Sequence, residues 1–344
     1  MINVLYIGNN LKTQTTNVSA ISVLGPLLAA EGFKVNCASS KVNKWARLTD
    51  MVCHVFKHAK STDVVLIDTY STTNFLYAVI ISQLCRMLNM PYVPILHGGK
   101  LPARLRDTPR LSGLLFKHAH QLVSPSKYLE AAFNQSQLAP VVYIPNSLNI
   151  DNYPFKKRNY ATINLLWVRS FSSIYNPQLA IKSLKLLKDT GLPCHLCMVG
   201  PDTQDGSLQA CKQLAQDMQV EVSFMGKLSK PDWIRLSSDY NIFLNTANFD
   251  NMPVSVLEAM ALGLPVISTS VGGMPHLITN NSTGLLVPAN NPVAIKNAVM
   301  FLKEHPQQAN TLAVKARQMV TNLDWKIVKH SWVTLFSEIS KKRA

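Results

Sequence analysis

Asn248-Phe249-Asp250-Asn251-Met252-Pro253-Val254-Ser255-Val256-Leu257-Glu258-Ala259-Met260-Ala261-Leu262-Gly263-Leu264-Pro265-Val266-Ile267 carries two carboxylates eight positions apart. Asp250 lies in a polar loop, and Glu258 lies within an otherwise apolar helical stretch. A carboxylate in that setting is costly unless a partner satisfies it. The residues before the stretch, Asn241-Ile242-Phe243-Leu244, have strand character, as do Pro265-Val266-Ile267 at its end. The pattern predicts a strand–loop–helix–strand unit with an acidic group at its mouth. Pro253 suits the first helical position, where a missing N–H is harmless, and Gly263 suits the C′ position that ends the helix after roughly three turns. The free amides of residues 252–255 and the positive end of the helix dipole make a phosphate site. Glu258 is too deep to cap that end, but it can reach a hydroxyl-bearing ligand lying along the helix. A phosphate beside a polyol is a sugar nucleotide.

The rest of the chain frames this unit. Strand candidates are 2–7, 64–67, 92–96, 122–124 and 141–144, then 165–168, 195–199, 222–225, 242–244, 266–268 and 285–287. Short β-rich runs separated by helical stretches indicate an α/β chain with parallel, doubly wound sheets. Its 344 residues suffice for two domains. A polar, proline-bearing, basic segment from Pro145 through Arg158 marks the linker, giving domains 1–154 and 155–324. Ligands of such folds sit beyond the carboxyl ends of the strands, which for two facing sheets is the cleft between the domains. Residues 325–339 read as an amphipathic helix with Trp325, Val328, Trp332, Leu335 and Ile339 at helical spacing. It is expected to return to the first domain, with Lys341-Lys342-Arg343 as a mobile tail.

The segment from Asp250 to Ile267, with Ser270-Val271-Gly272-Gly273-Met274-Pro275 and Thr283-Gly284-Leu285-Leu286-Val287-Pro288 after it, resembles the donor site of glycosyltransferase family 4. The resemblance implies a GT-B fold: two Rossmann-like doubly wound domains facing a central cleft. It further implies transfer of a sugar, with retention of configuration and without a metal or other cofactor, from a UDP- or GDP-sugar to a glycan or lipid-linked acceptor in polysaccharide biosynthesis. Glu258 then accepts hydrogen bonds from the ribose, and Asp250 holds a hydroxyl of the donor sugar. Arg169 and the helix start around Asn251, Met252, Pro253 and Val254 serve the diphosphate. His97, in His97-Gly98-Gly99, contacts the donor sugar, Gly8 lies in the loop that approaches the diphosphate, and Lys227 falls where nucleobase contacts cluster. Two departures stand out. Asp250 replaces the usual glutamate, one methylene longer, and the lysine that usually follows the arginine is missing from residues 170–177, where Tyr175 or Asn176 is left to donate a hydrogen bond. Other classes open to these residues are a GT-B sugar-nucleotide epimerase, a phosphorylase, for which no cofactor-lysine environment is found, and a non-catalytic sugar-nucleotide-binding partner subunit.

Charge adds a second clue. The formal net charge is +15. In residues 1–150, where 14 Lys and Arg face 6 Asp and Glu, the whole excess sits in 41–60 and 97–118. In the first of these, Trp45, Leu48, Val52, Val55 and Ala59 recur at three-to-four spacing among Lys41, Lys44, Arg47, Lys57 and Lys60. That is a basic amphipathic helix. Its apolar stripe is either core or a docking face for an anionic membrane, with the second segment near an acceptor pyrophosphate. Nucleic acid is not expected, since no aromatic-basic RNA motif or helix-turn-helix signal is present. No uncharged apolar run reaches 18 residues; the nearest, 74–90, is interrupted by Gln83 and Arg86 and reads as a buried helix. Met1-Ile2-Asn3-Val4 opens directly as a strand, so a cytoplasmic location without a signal peptide is expected. Strand alternation places Cys194 and Cys197 on opposite faces, favouring buried structural thiols over a zinc or redox pair.

Overall fold

A computed structural model describes residues 1–11 and 19–341; Lys342 and Arg343 of the expected tail lie outside the described residues. The chain divides into two compact units, Met1–Ser147 with Trp325–Ala344, and Leu148–Asp324. Unit 1 runs β1 (Asn3–Ile7), α1 (Ala20–Ala30), β2 (Lys34–Ala38), α2 (Lys44–His58), β3 (Val64–Thr69), α3 (Asn74–Met87), β4 (Tyr92–Leu96), α4 (Leu101–Asp107), α5 (Pro109–Phe116), β5 (Leu122–Ser124), α6 (Lys127–Ser136) and β6 (Val141–Tyr143). Its six strands pair in parallel in the order β2-β1-β3-β4-β5-β6. Because side chains alternate across a strand, Leu5, Ile7, Val65 and Ile67 enter one core layer, and Val4, Tyr6, Val64 and Leu66 enter the other. Strands buried on both faces read as continuous apolar runs, which is why Val64-Val65-Leu66-Ile67 is legible.

Unit 2 runs β7 (Ile163–Val168), α7 (Pro177–Lys188), β8 (Cys194–Val199), α8 (Ser207–Asp217), β9 (Val222–Gly226), α9 (Lys230–Leu236), β10 (Ile242–Asn245), α10 (Val254–Ala261), β11 (Val266–Thr269), α11 (Met274–Leu277), β12 (Leu285–Val287), α12 (Pro292–Glu304) and α13 (Pro306–Thr321). The parallel order is β12-β11-β10-β7-β8-β9. The strand order reverses between β7 and β10, and such switch points open a crevice beyond the strand ends. The last helix, α14 (Trp325–Lys341), belongs to unit 1. It buries Val328, Trp332, Leu335, Phe336 and Ile339 in the layer that holds Val4 and Tyr6. Each fully buried aliphatic or Phe side chain contributes roughly 1.5–3 kcal/mol. The tryptophan at its start donates from Nε1 to Glu31 (3.1 Å).

Several expectations are corrected. The unit boundary falls at Ser147/Leu148 and not at 154/155, because the expected linker is folded into unit 2. Leu148, Ile150 and Tyr153 pack in its core, and the Leu148 amide donates to the Leu323 carbonyl (2.9 Å). The buried Arg158 guanidinium donates to the carbonyls of Ser237, Tyr240 and Leu262. On α2 the buried residues are Arg47, Met51 and Val55, while Trp45 is 78% exposed. Trp45 sits in the first turn, beside the Asn43 cap that accepts from its amide. Arg47 does not belong to a solvated face: it donates to the carbonyls of Lys41 and Val42 and to Asn9. All six cysteines are free; Cys194 and Cys197 enter different core layers, as their spacing requires. Among the described residues, no helix is long and apolar enough to cross a membrane.

Candidate donor site

In unit 2, Arg169 follows β7 directly and Asp250 lies in the loop after β10, so the two flank the switch point. They pair with each other. Arg169 Nη2 donates to both carboxylate oxygens of Asp250, at 2.8 and 2.7 Å, and the Asn251 amide donates to Oδ1 at 3.0 Å. The Asp250 side chain is 8% exposed. Burial pushes its carboxyl up from the ordinary aspartate range, and the Arg169 charge opposes that rise. The guanidinium lies over the Tyr175 ring at 4.3 Å, a cation–π contact that fixes its plane, and Arg169 Nε is buried without a hydrogen-bond partner.

The loop is held from below by a close backbone approach. The Gly273 amide donates to the Asp250 carbonyl (2.8 Å). A Cβ on Gly272 would meet that oxygen at 2.1 Å, and one on Gly273 would meet the Asn251 carbonyl oxygen at 2.0 Å. Only glycine allows this contact, and that is what the Gly-Gly pair read in the sequence does. Asn176 lies at φ 45° before α7, and its amide donates to Asn248 and Asn290. It therefore braces the loops beside the site. The Asp205 carboxylate braces the same region, accepting from the Ser172 hydroxyl (3.0 Å) and the Ser173 amide (2.9 Å).

The helix after the loop begins at Val254, with Pro253 as its N-cap residue at φ −68° and ψ 121°. This corrects the expected first helical position, since the fixed proline φ fits both. No side chain caps that end, so its first amides face the loop. At the other end the Leu264 amide reaches the Ala259 carbonyl and the Gly263 amide reaches that of Met260, with Gly263 at φ 77°: a Schellman stop. The helix therefore has eight residues, shorter than expected. Met252 is a buried core residue.

Glu258 is 3% exposed. Its partners are Tyr153, whose hydroxyl donates to Oε1 at 2.8 Å, and Lys230, whose Nζ pairs with the same oxygen. Burial, and then the Glu258 charge, push the Tyr153 phenol up, so Tyr153 stays a donor. Sequence reasoning missed both partners. Lys227, singled out for the nucleobase, lies in the turn between β9 and α9, three positions before the lysine that reaches the acid.

In unit 1, Gly8 and His97 meet around a residue that was not foreseen, Asp68, at the end of β3. Asp68 Oδ1 accepts from the Tyr6 hydroxyl (2.8 Å) and lies 2.8 Å from His97 Nε2. The Tyr70 ring stacks on the imidazole at 5.2 Å. Oδ2 is buried without a partner, and a Cβ on Gly8 would lie 2.4 Å from it. A depression of about 330 Å³ in unit 2 is lined by 156–159, 161–162, 164 and 238–241. It sits at the amino ends of β7 and β10, away from Arg169 and Asp250.

Residues 151–319 match the family model for glycosyl transferases group 1, just under half of the chain. The chain is 24% identical over 262 residues to a glycogen synthase of Mycobacterium tuberculosis, which covers 71% of this chain and 62% of that protein. The match thus spans less than two thirds of that relative's length. Among solved structures, sucrose-phosphate synthase from Thermosynechococcus elongatus superposes with a TM-score of 0.82 at 18% identity, covering 99% of this chain and all of that one. Anabaena HepE in complex with UDP-glucose gives 0.80 at 16% identity, covering 98% and 100%. The chain has the GT-B fold, and its second unit carries the sequence pattern of glycosyl transferases group 1.

Proposed function

We propose that this protein is a retaining glycosyltransferase that moves a sugar from a nucleotide-sugar donor to a glycan or lipid-linked acceptor, without a metal. The observation that carries the reading is the buried Glu258 carboxylate on α10, eight positions beyond Asp250, which pairs with Arg169 in the loop before that helix. HepE's complex with UDP-glucose favours a UDP-sugar as donor. In this reading Glu258 accepts from the ribose hydroxyls. Asp250, fixed by Arg169, accepts from a hydroxyl of the donor sugar. Arg169 turns Nη2 to Asp250 and keeps Nη1 for a phosphate oxygen, with the uncapped start of α10 beside it. Charge that develops on the departing diphosphate meets donors already in place, so little reorganisation accompanies bond breaking. In unit 1, His97 is held with its ring edge on Asp68 and its face on Tyr70.

A basic, apolar face in unit 1 supports an anionic bilayer as the place where an acceptor is met. Neighbouring α2, α3 and α5 expose Trp45 and Phe56, then Leu76, Ile80 and Met87, then Leu114, among the exposed Lys44, Lys57, Arg86 and Arg110. Aromatic and aliphatic side chains amid bases suit an acidic headgroup layer. Co-sedimentation with anionic against neutral vesicles tests this part alone, and equal binding to both would remove it. For the transfer itself, Glu258→Ala should lower the rate with a UDP-sugar more than tenfold, about the loss of one hydrogen-bonded charged group. An unchanged rate sinks the assignment.

A further inference from the structure

Glu258 has two oxygens, and both of its partners bind the same one. Tyr153 reaches Oε1 from the segment that precedes β7, and Lys230 reaches it from the first turn of α9. Tyr153 is buried in the core layer that also holds Leu257, Met260 and Leu262, so its hydroxyl is a fixed point. Lys230 is half-exposed, with its side chain 47% open to solvent. Its Nζ lies 5.6 Å from the ring centroid of the buried Trp233, which steadies the long stem. A lysine that leaves solvent to sit on a buried carboxylate supplies the countercharge such a group needs. It also brings a cation from a different element to Glu258, whereas 170–177 has no lysine.

We propose that Lys230 and Tyr153 are positioning residues of the donor site: by holding Oε1 of Glu258 they present Oε2 to a ribose hydroxyl of the nucleotide. The inference rests on the reading of Glu258 as the ribose acceptor. A carboxylate pinned at one oxygen cannot rotate, so the second oxygen meets the ribose in one geometry. Discrimination between a ribose and a deoxyribose then depends on Lys230, although Lys230 need not touch the sugar. With the clamp gone, the carboxylate turns about its last bond, and the ribose hydroxyl gains much less over the solvent it displaces.

The test measures binding of UDP, 2′-deoxy-UDP and 3′-deoxy-UDP, with the GDP series in parallel, to the full chain by titration calorimetry. The wild type should prefer the ribonucleotide over one of its deoxy forms by about tenfold or more, as expected for a hydrogen bond to a charged acceptor. In Lys230→Met that ratio should fall below about threefold, while affinity for the deoxy form changes by less than about threefold. Lys230→Arg should keep most of the ratio, and Tyr153→Phe should reduce it even where it also lowers stability. A general loss of structure would weaken all ligands alike and leave the ratio untouched. Retention of the full ratio in both Lys230→Met and Tyr153→Phe overturns the clamp and leaves the ribose reading standing. Absence of any ratio in the wild type, in both series, overturns the ribose reading and the clamp with it.

Discussion

Removing the Arg169 side chain should make the stability of this protein depend on pH in a direction opposite to ordinary acid denaturation. In Arg169→Met the Asp250 carboxylate keeps its burial, with the side chain 8% exposed, and keeps one donor, the Asn251 amide at 3.0 Å. It loses two charge-assisted contacts, at 2.8 and 2.7 Å. Breaking a buried pair from one side costs about 3–5 kcal/mol when the remaining group stays charged. Protonation is the escape, and burial already pushes Asp250 upward with Arg169 as the first opposing influence. Without Arg169 its folded pKa rises further. An acid with a raised folded pKa holds its proton more tightly folded than unfolded. Its contribution is intact below the unfolded value of about 3.9 and is lost as pH rises through the folded value. The deficit of the variant against the wild type should therefore be about 1 kcal/mol or less near pH 4.5 and about 3 kcal/mol or more near pH 8. Urea unfolding of both proteins across that range reads it, and Asp250→Asn in the same background should flatten the slope. A deficit that is constant with pH, that grows toward acid, or that survives the asparagine would refute the reasoning.

Three further outcomes follow from the same geometry. Gly273→Ala should lower stability by about 1–3 kcal/mol, because a Cβ there meets the Asn251 carbonyl oxygen at 2.0 Å; it should also weaken nucleotide binding by displacing the Asp250 loop, and unaltered values in both assays would show that the loop has slack. Hydrogen bonds from Ser207, then from the Ser173 amide, hold the Asp205 carboxyl well below the usual range, so its stabilisation is present above about pH 3.9 and fades as pH falls through the lowered value. This tie is exposed and worth less than about 1 kcal/mol, and Asp205→Ala should speed hydrogen exchange at Ser173 at neutral pH, by a factor that narrows as pH falls below about 3.9. Trp332→Ala on α14, where the ring is 3% exposed, should remove about 3–5 kcal/mol from the transition that unfolds unit 1, followed by tryptophan-independent circular dichroism.

The elements that the sequence disclosed are those with a strong local pattern. Runs such as Val64–Ile67 and the Asp250–Ile267 stretch announce their own period and their own stops. The edge strand β2 escaped notice because Lys34 is exposed and Asn36 and Cys37 are partly open to solvent, so it lacks an apolar run. Asp68 was passed over because an acid at the end of an apolar run reads as a turn residue; that Tyr6 and His97 both aim at it follows from strand order, which pairing alone fixes. The partners of Glu258 were hidden for the same reason. Tyr153 lies 105 positions away and Lys230 lies 28 away, and nothing in either neighbourhood marks it as facing an acid. The sequence argument that a buried carboxylate needs a partner was sound, but it named a ligand where the fold also supplies a tyrosine and a lysine. Arg169 and Asp250 each stood out in the sequence, yet their pairing did not, since it depends on the reversal of strand order between β7 and β10. Asp250 keeps its carboxylate on that arginine.

The central claim is that unit 2 grips a nucleotide sugar through Glu258, and the most direct measurement is the binding of UDP-, GDP- and other nucleotide sugars to the wild type and to Glu258→Ala, by thermal shift and calorimetry on the full chain. One nucleotide series should stabilise the wild type clearly, and the variant should bind it at least about tenfold more weakly. A wild type that no nucleotide sugar stabilises, or a variant that binds as tightly as the wild type, would contradict the account.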